Sequence, residues 1–409
     1  MRPSAIIALA ALAVPALGTG QAPAKPRARD LGVPFDGTPG PLNAITDVAG
    51  VTVGQVTIIS GKGPLVVGQG PVRTGVTAVL PRGATNGDPV MAGWFTLNGN
   101  GEMTGTTWLE ESGFLAGPVM ITNTHSVGVV RDAVIEWLVH KGFNFDWSLP
   151  VVAETWDGSL NDINGFHVTK QDAFRALDSA RSGPVAEGNV GGGTGMICHQ
   201  FKGGIGTASR RFTVEDKTYT LGVLVQCNYG VRRLLRIAGV PVGAEIPDLL
   251  PCLHVTGPLP QADERYPRCP GPGPRDPGPG GVGEMGSIIV VVATDVPLLP
   301  HQLQRVARHV SLGIGKMGGL GSNSSGDIYV AFSTANPGAA EVKGLHSATF
   351  IPNEAITTVF EATVQATEES ITNALVAAET MDGANDLRVT ALPHDRLRAA
   401  LQKYGRLGR

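Results

Sequence analysis

Gly286-Ser287-Ile288-Ile289-Val290-Val291-Val292-Ala293-Thr294 decides the architecture. Five β-branched residues in a row suit a strand buried on both faces. The segment before it is of the opposite character. Between Pro267 and Gly283, 12 of 17 residues are Gly or Pro. Such a run supports neither a helix nor a central strand, so a solvated linker is expected over residues 257–283. A flexible tether thus ends a few residues short of a core strand, and that strand begins with Ser287.

Downstream, Leu303, Val306, Ala307 and Val310 follow the i, i+3, i+4, i+7 spacing of a helix, which Gly313 is expected to end. A Gly/Ser-rich loop and a second strand, Ile328 to Ser333, come next. Phe360, Val364, Ile371 and Leu375 mark a long amphipathic helix. Upstream, Val130, Val134, Trp137 and Leu138 mark another. Further strands are expected at Val76–Leu80, Val119–Thr122, Val151–Glu154 and Leu221–Gln226. Strands and helices are interspersed without regular βαβ alternation, and no internal repeat is visible. The pattern predicts a layered α+β sandwich in one compact unit.

Composition narrows the function. The chain has 409 residues, 42% of them hydrophobic, enough for a large core, so wholesale disorder is excluded. Net charge is −3, without the basic surplus of a nucleic-acid binder. No stretch of about 20 apolar residues follows residue 20, which argues against a membrane span. Arg2 and the apolar run Ala5 to Leu17 read as a signal peptide over residues 1–22, and hence as a periplasmic or secreted protein. Cys198, Cys227, Cys252 and Cys269 form no C-x-x-C. Cys198 and Cys227 sit in apolar contexts and read as core thiols. Cys252 and Cys269 flank the Pro-rich segment, where a disulfide and free thiols are both open.

Familiar catalytic signatures are missing. Neither G-x-S-x-G nor H-E-x-x-H occurs. Two G-x-G-x-x-G matches, beginning at Gly281 and Gly313, lack the strand–glycine–helix order of a dinucleotide site. No histidines pair at metal-ligand spacing, and no metal or organic cofactor is implied. His125 reads as a hydrogen-bonded core histidine. What remains is the serine after the linker. A hydroxyl nucleophile needs a base, and an N-terminal serine can use its own α-amine, whose ordinary pKa is about 7.7–8.0. That requires cutting the bond before it. Gly286 hinders attack on its own carbonyl least and tolerates a strained backbone. Taken alone, Gly-Ser is weak evidence and reads first as an ordinary turn into a strand.

Several ordered segments bear on that choice: Arg29–Gly32 with Gly37–Val48, Asn98–Gly105, Thr122–Gly128, Glu154–Gly158, Asn189–Gly195, Val225–Gly230, Ser325–Asp327 and Ala331–Asn336. As a set, from about residue 27 to 383, they resemble the L-aminopeptidase/D-esterase and β-peptidyl aminopeptidase family of self-processing serine hydrolases. The resemblance implies an αββα sandwich similar to N-terminal-nucleophile hydrolases, with different strand connectivity. It implies autocleavage between Gly286 and Ser287, giving an α-chain (23–286) and a β-chain (287–409). It assigns Ser287 as nucleophile, Asn228 as oxyanion donor, Glu154 as holder of the substrate's free amine, and Ser325 and Asp327 as the polar network around Ser287. The implied substrates are short peptides, amides or esters, extending to D- or β-amino acids. Homo-oligomers of cleaved pairs, tetramers among them, are also implied.

Two positions depart from the family pattern. Trp156 stands where aminopeptidase members carry an oxyanion-binding Tyr; an indole N–H donates but cannot accept. Asp327 replaces a Glu, one methylene shorter. Two other functions stay open on the sequence: an acyltransferase of the ornithine acetyltransferase type, which would use Thr rather than Ser, and a non-catalytic exported binding protein on the same fold.

Overall fold

The computed structural model describes residues 25–143, 145–254, 266–269 and 286–408. In chain order, the elements of the main body are β1 (Thr52–Ser60), β2 (Val72–Leu80), β3 (Val90–Gly99), β4 (Phe114–Leu115), β5 (Val119–Asn123), α1 (Val127–His140) and β6 (Val151–Thr155). They continue with α2 (Lys170–Asp178), β7 (Gly204–Val214), β8 (Lys217–Asn228), β9 (Ser287–Thr294), α3 (Pro300–Lys316), β10 (Gly326–Ser333) and α4 (Thr357–Ala377). Strands β1-β2-β5-β6 make one sheet and β4-β3-β10-β9-β8-β7 the other. Pairing is antiparallel except for β5 with β6 and β9 with β10.

Strand β9 shows why the layers stack. Ile288, Val290 and Val292 face a core shared with Val306 and Val310 of α3 and Ala366 and Ile371 of α4. Ile289, Val291 and Ala293 face the other way, against Val79, Ile121 and Ala153 of the smaller sheet. The period of two along a strand sends successive side chains into two different cores, so a run without polar residues must lie between layers. Each buried Val or Ile contributes roughly 1.5–3 kcal/mol. A third core packs Val76 and Met120 of the smaller sheet on Val130, Val134 and Trp137 of α1 and Leu177 of α2. The order is therefore helices, sheet, sheet, helices, the expected αββα sandwich.

Three expectations need correction. Gly313 lies inside α3, which runs on to Lys316. A Cβ there would sit 2.7 Å from Thr367 Cβ, so the glycine serves close packing of α3 on α4 rather than helix termination. Helix α4 is not simply amphipathic: Phe360 and Val364 are half-buried, while every residue from Ala366 to Ala377 is buried, because α4 crosses the middle of its layer. Buried Glu369 is matched there by Arg29 at 2.7 Å and Arg210 at 2.8 Å.

The expected linker is not uniform. Cys269 is bonded to Cys252, and Arg268 bridges to Leu253, beside the small sheet formed by Cys252–Leu253, Leu387–Val389 and Met381–Asp382. Tyr266 is buried, its hydroxyl 2.8 Å from Ser159 Oγ. The other linker residues, and the expected signal peptide, lie outside the described residues. Among the described residues, no helix is long and apolar enough to cross a membrane.

Candidate active site

Strand register assembles the site. Antiparallel pairing of β8 with β9 sets Asn228 opposite Ser287. Parallel pairing of β9 with β10 sets Asp327 beside Ile288. Strand β3 reaches Asp327 through a bulge: Ile328 pairs with Thr96 and Asp327 with Asn98, leaving Leu97 extra. That shift lets Asn98 Oδ1 accept the Asp327 N–H at 2.8 Å. From the other sheet, β6 ends with Glu154 and Thr155, and Trp156 follows. All six residues singled out in the sequence thus meet at one end of the sandwich.

Ser287 is 5% exposed, and its Oγ accepts the Gly326 N–H at 3.0 Å. The Ser325 hydroxyl donates to Asp327 Oδ1 at 2.6 Å, and the Ile288 N–H reaches the same oxygen at 3.2 Å. The shorter Asp thus still closes a network around the first turn of β9. The Asn228 amide is held at both ends. Its Oδ1 accepts the Ile197 N–H at 2.8 Å, and its Nδ2 donates to the Trp156 carbonyl at 2.9 Å. An amide nitrogen has two hydrogens. Gly286 packs against this same Nδ2, which a Cβ on Gly286 would approach to 2.9 Å.

Ser287, Gly286, Glu154 and Trp156 share a cleft of about 590 Å³ with Gly99–Glu102, Thr124 and Ser324. Glu154 is buried at its inner wall, where Oε1 accepts the Glu102 N–H at 2.9 Å and Oε2 accepts the Thr124 hydroxyl. Burial pushes this carboxyl above its usual range; the Thr124 hydroxyl and the Glu102 amide pull it back, the Glu102 carboxylate adds to the rise, and His125 opposes it. Next to Trp156, fully buried Asp157 is pushed up to about 7 by desolvation, against hydrogen bonds from Thr74, Asn161 and Asn123. The Trp156 indole folds back over Gly158, where a Cβ would sit 2.6 Å from the ring. Its carbonyl, rather than its ring, is the group tied to Asn228.

A model for Peptidase family S58 matches residues 43–389. The chain belongs to peptidase family S58. Its S58 relatives include a β-peptidyl aminopeptidase BapA of Sphingosinicella microcystinivorans, 58% identical over 384 residues, 93% of each chain. The L-aminopeptidase D-Ala-esterase/amidase of Ochrobactrum anthropi, described as a new variant among the Ntn hydrolase fold, superposes with TM-score 0.83 at 47% identity. That match covers 94% of this chain and all of that one. A β-aminopeptidase of a Burkholderia species gives TM-score 0.79 at 44% identity, over 93% and 99%. This S58 chain is a hydrolase with the Ntn-type αββα fold.

Two expectations about the surroundings fail. Cys198 and Cys227 are buried but bonded to each other, so they are not core thiols. Their proximity arises from a hairpin folding onto β8, 29 residues away in sequence. His125 is exposed, its ring 6.1 Å from exposed Phe166, because the turn entering α1 projects it outward. Sequence reasoning also gave no role to the Gly326 and Ile197 amides, Asn98 or Thr124. Backbone donors carry no side-chain signal. Asn98 and Thr124 lay in matched segments, which marked the place without the contact.

Proposed function

We propose that this S58 hydrolase is a serine aminopeptidase that matures by cutting its own Gly286–Ser287 bond and then releases N-terminal residues, β-amino acids included, from short peptides, amides or esters. One observation carries the reading. Ser287 opens a core strand and shares a cleft with buried Glu154, with Asn228 facing it across the strand pair.

In maturation, Ser287 Oγ adds to the Gly286 carbonyl, the C–N bond breaks, and the nitrogen takes the hydroxyl proton, leaving an ester. Water hydrolyses that ester to a Gly286 carboxylate and a free Ser287 α-amine. In turnover, Glu154 holds the substrate ammonium by a charge-assisted hydrogen bond. The α-amine, with Ser325 and Asp327 beside it, accepts the Oγ proton as Oγ adds to the substrate carbonyl. The second Asn228 Nδ2 hydrogen stabilises the oxyanion, a contribution of about 3 kcal/mol where such donors have been removed. The leaving amine departs with the proton, and water frees the acyl group. A β-residue adds one methylene between ammonium and carbonyl, which a cleft of about 590 Å³ has room for.

The proposal extends to export and assembly. Two disulfides among the described residues suit an oxidising compartment, as does the N-terminal apolar run. Residues 341–350 are exposed throughout, with Val342 and Leu345 almost wholly in solvent, which suits an arm covered in a homo-oligomer. Intact-mass analysis with N-terminal sequencing tests maturation. It should find a fragment beginning Ser-Ile-Ile-Val, while Ser287→Ala stays one inactive chain. Full peptidase activity from an uncut wild-type chain would sink the mechanism.

A further inference from the structure

Lys202 is wholly buried, yet among the described residues it forms no ion pair with a carboxylate. Its ammonium donates to three backbone carbonyls: Met196 at 2.8 Å, Gly203 at 2.9 Å and, more weakly, Gly193 at 3.5 Å. Burial, with some repulsion from Lys25, brings its pKa down to about 7. Unlike a surface lysine, this one has exchanged water for carbonyl oxygens, an arrangement that costs free energy unless the site is well formed.

The Met196 carbonyl is the informative partner. It belongs to the same peptide group as the Ile197 N–H, which donates to Asn228 Oδ1. The atoms run in one direction: ammonium to Met196 oxygen, across the peptide group to Ile197 N–H, then to Asn228 Oδ1, and across that amide to Nδ2. Donation to a carbonyl oxygen draws electron density out of the amide nitrogen and strengthens its N–H as a donor, so hydrogen bonds linked through amides reinforce one another. The chain ends at the nitrogen packed against Gly286 and across the strand pair from Ser287.

The surrounding structure holds this path rigidly. Ile197–Cys198 and Phe201–Lys202 form a tight hairpin whose turn residues, His199 and Gln200, both have positive φ, 48° and 58°. Such turns favour Asn-Gly, so this one is held against preference. Arg232 grips it through the His199 carbonyl at 3.1 Å and the Gln200 carbonyl at 2.6 Å. The Cys198–Cys227 bond and the His199 N–H to Tyr229 carbonyl contact at 2.6 Å dock it beside Asn228.

We propose that Lys202 is a positioning residue for the oxyanion donor: acting through the Met196–Ile197 peptide group, its ammonium orients the Asn228 amide and strengthens its free N–H. This rests on the reading of Asn228 given above. The test is a cycle on the purified full-length enzyme with Lys202→Met, Asn228→Ala and the double variant, assayed on an aminoacyl p-nitroanilide. Intact mass supplies the processed fraction to which rates are referred. Asn228→Ala is expected to lower kcat by about 10²–10³. Lys202→Met should lower kcat by about ten- to a hundredfold with KM changed less than threefold, and it should add nothing in the Asn228→Ala background.

A peptide-aldehyde inhibitor, which forms an oxyanion with the serine, should lose affinity in parallel with kcat. If Lys202→Met fails to fold, Lys202→Gln, uncharged but still a donor, carries the same comparison. If Asn228→Ala cuts itself too slowly to give enough processed enzyme for assay, the rate constant of Gly286–Ser287 cutting, followed by intact mass over days, replaces kcat throughout. Unchanged kcat in Asn228→Ala overturns the oxyanion assignment itself. An impaired Asn228→Ala beside an unimpaired Lys202 variant, or losses that multiply in the double variant, overturns the relay alone.

Discussion

Gly286→Ala tests the maturation geometry most sharply. Gly286 has φ +132°, a backbone conformation open to glycine and costly for alanine. An added Cβ would lie 1.9 Å from the Asn228 carbonyl oxygen and 2.9 Å from its Nδ2. The first atom is backbone in a paired strand and cannot swing away. Strain at such a φ costs about 1–3 kcal/mol, and forcing a methyl into packed surroundings costs a similar amount. Some of this will relax as the segment before Ser287 shifts, but that shift moves the scissile carbonyl away from Ser287 Oγ and the Asn228 amide. A net penalty of about 3 kcal/mol on the attacking geometry slows cutting by on the order of a hundredfold. The assay is the time course of the 287–409 fragment by intact mass, with the thermal unfolding midpoint as a control for folding. A Gly286→Ala protein that folds normally and cuts itself at the wild-type rate would refute the argument.

Glu154→Gln should raise KM for substrates with a free amine by about ten- to a hundredfold, the worth of a hydrogen bond to a charged group, with a smaller effect on kcat. Because burial raises the Glu154 pKa, wild-type KM should climb as pH falls through that raised value, where the carboxylate protonates and releases the ammonium; Glu154→Gln should lose this dependence in KM–pH profiles. Asp157 titrates at about 7 when folded against about 4 unfolded, so its contribution to stability is full below pH 4 and is lost as pH rises to 7. Relative to the wild type, Asp157→Asn should therefore gain stability across that window, by an amount on the order of 4 kcal/mol at most, measurable by denaturant unfolding at pH 5 and pH 8. Equal pH slopes in the two proteins would show that the carboxyl is ionised throughout.

The layered α+β sandwich was legible because its cause is local: Ile288 to Ala293 alternates between two cores, and a run without polar residues has nowhere to lie but between layers. The candidate residues were legible for another reason. Asn228, Glu154, Trp156, Ser325 and Asp327 each sit in a short ordered segment similar to a known family, and Ser287 stands where a Pro/Gly-rich run gives way to a core strand; identity and order survive in one dimension.

What the sequence could not supply was anything made by two distant segments meeting. Cys198 joins Cys227 because a hairpin folds onto β8, His125 faces solvent because the turn into α1 points it outward, and Gly313 stays helical because α4 needs to approach closely. The same holds for the contacts that hold the site in place. The Ile197 and Gly326 amides act through backbone atoms that every residue carries, and the Lys202 ammonium meets the Met196 carbonyl only once the folded chain has set the distances. Composition and pattern determine which side chains must leave water; only the packed chain decides which polar groups then face one another, because hydrogen bonds depend on ångström-scale geometry that no residue order encodes directly.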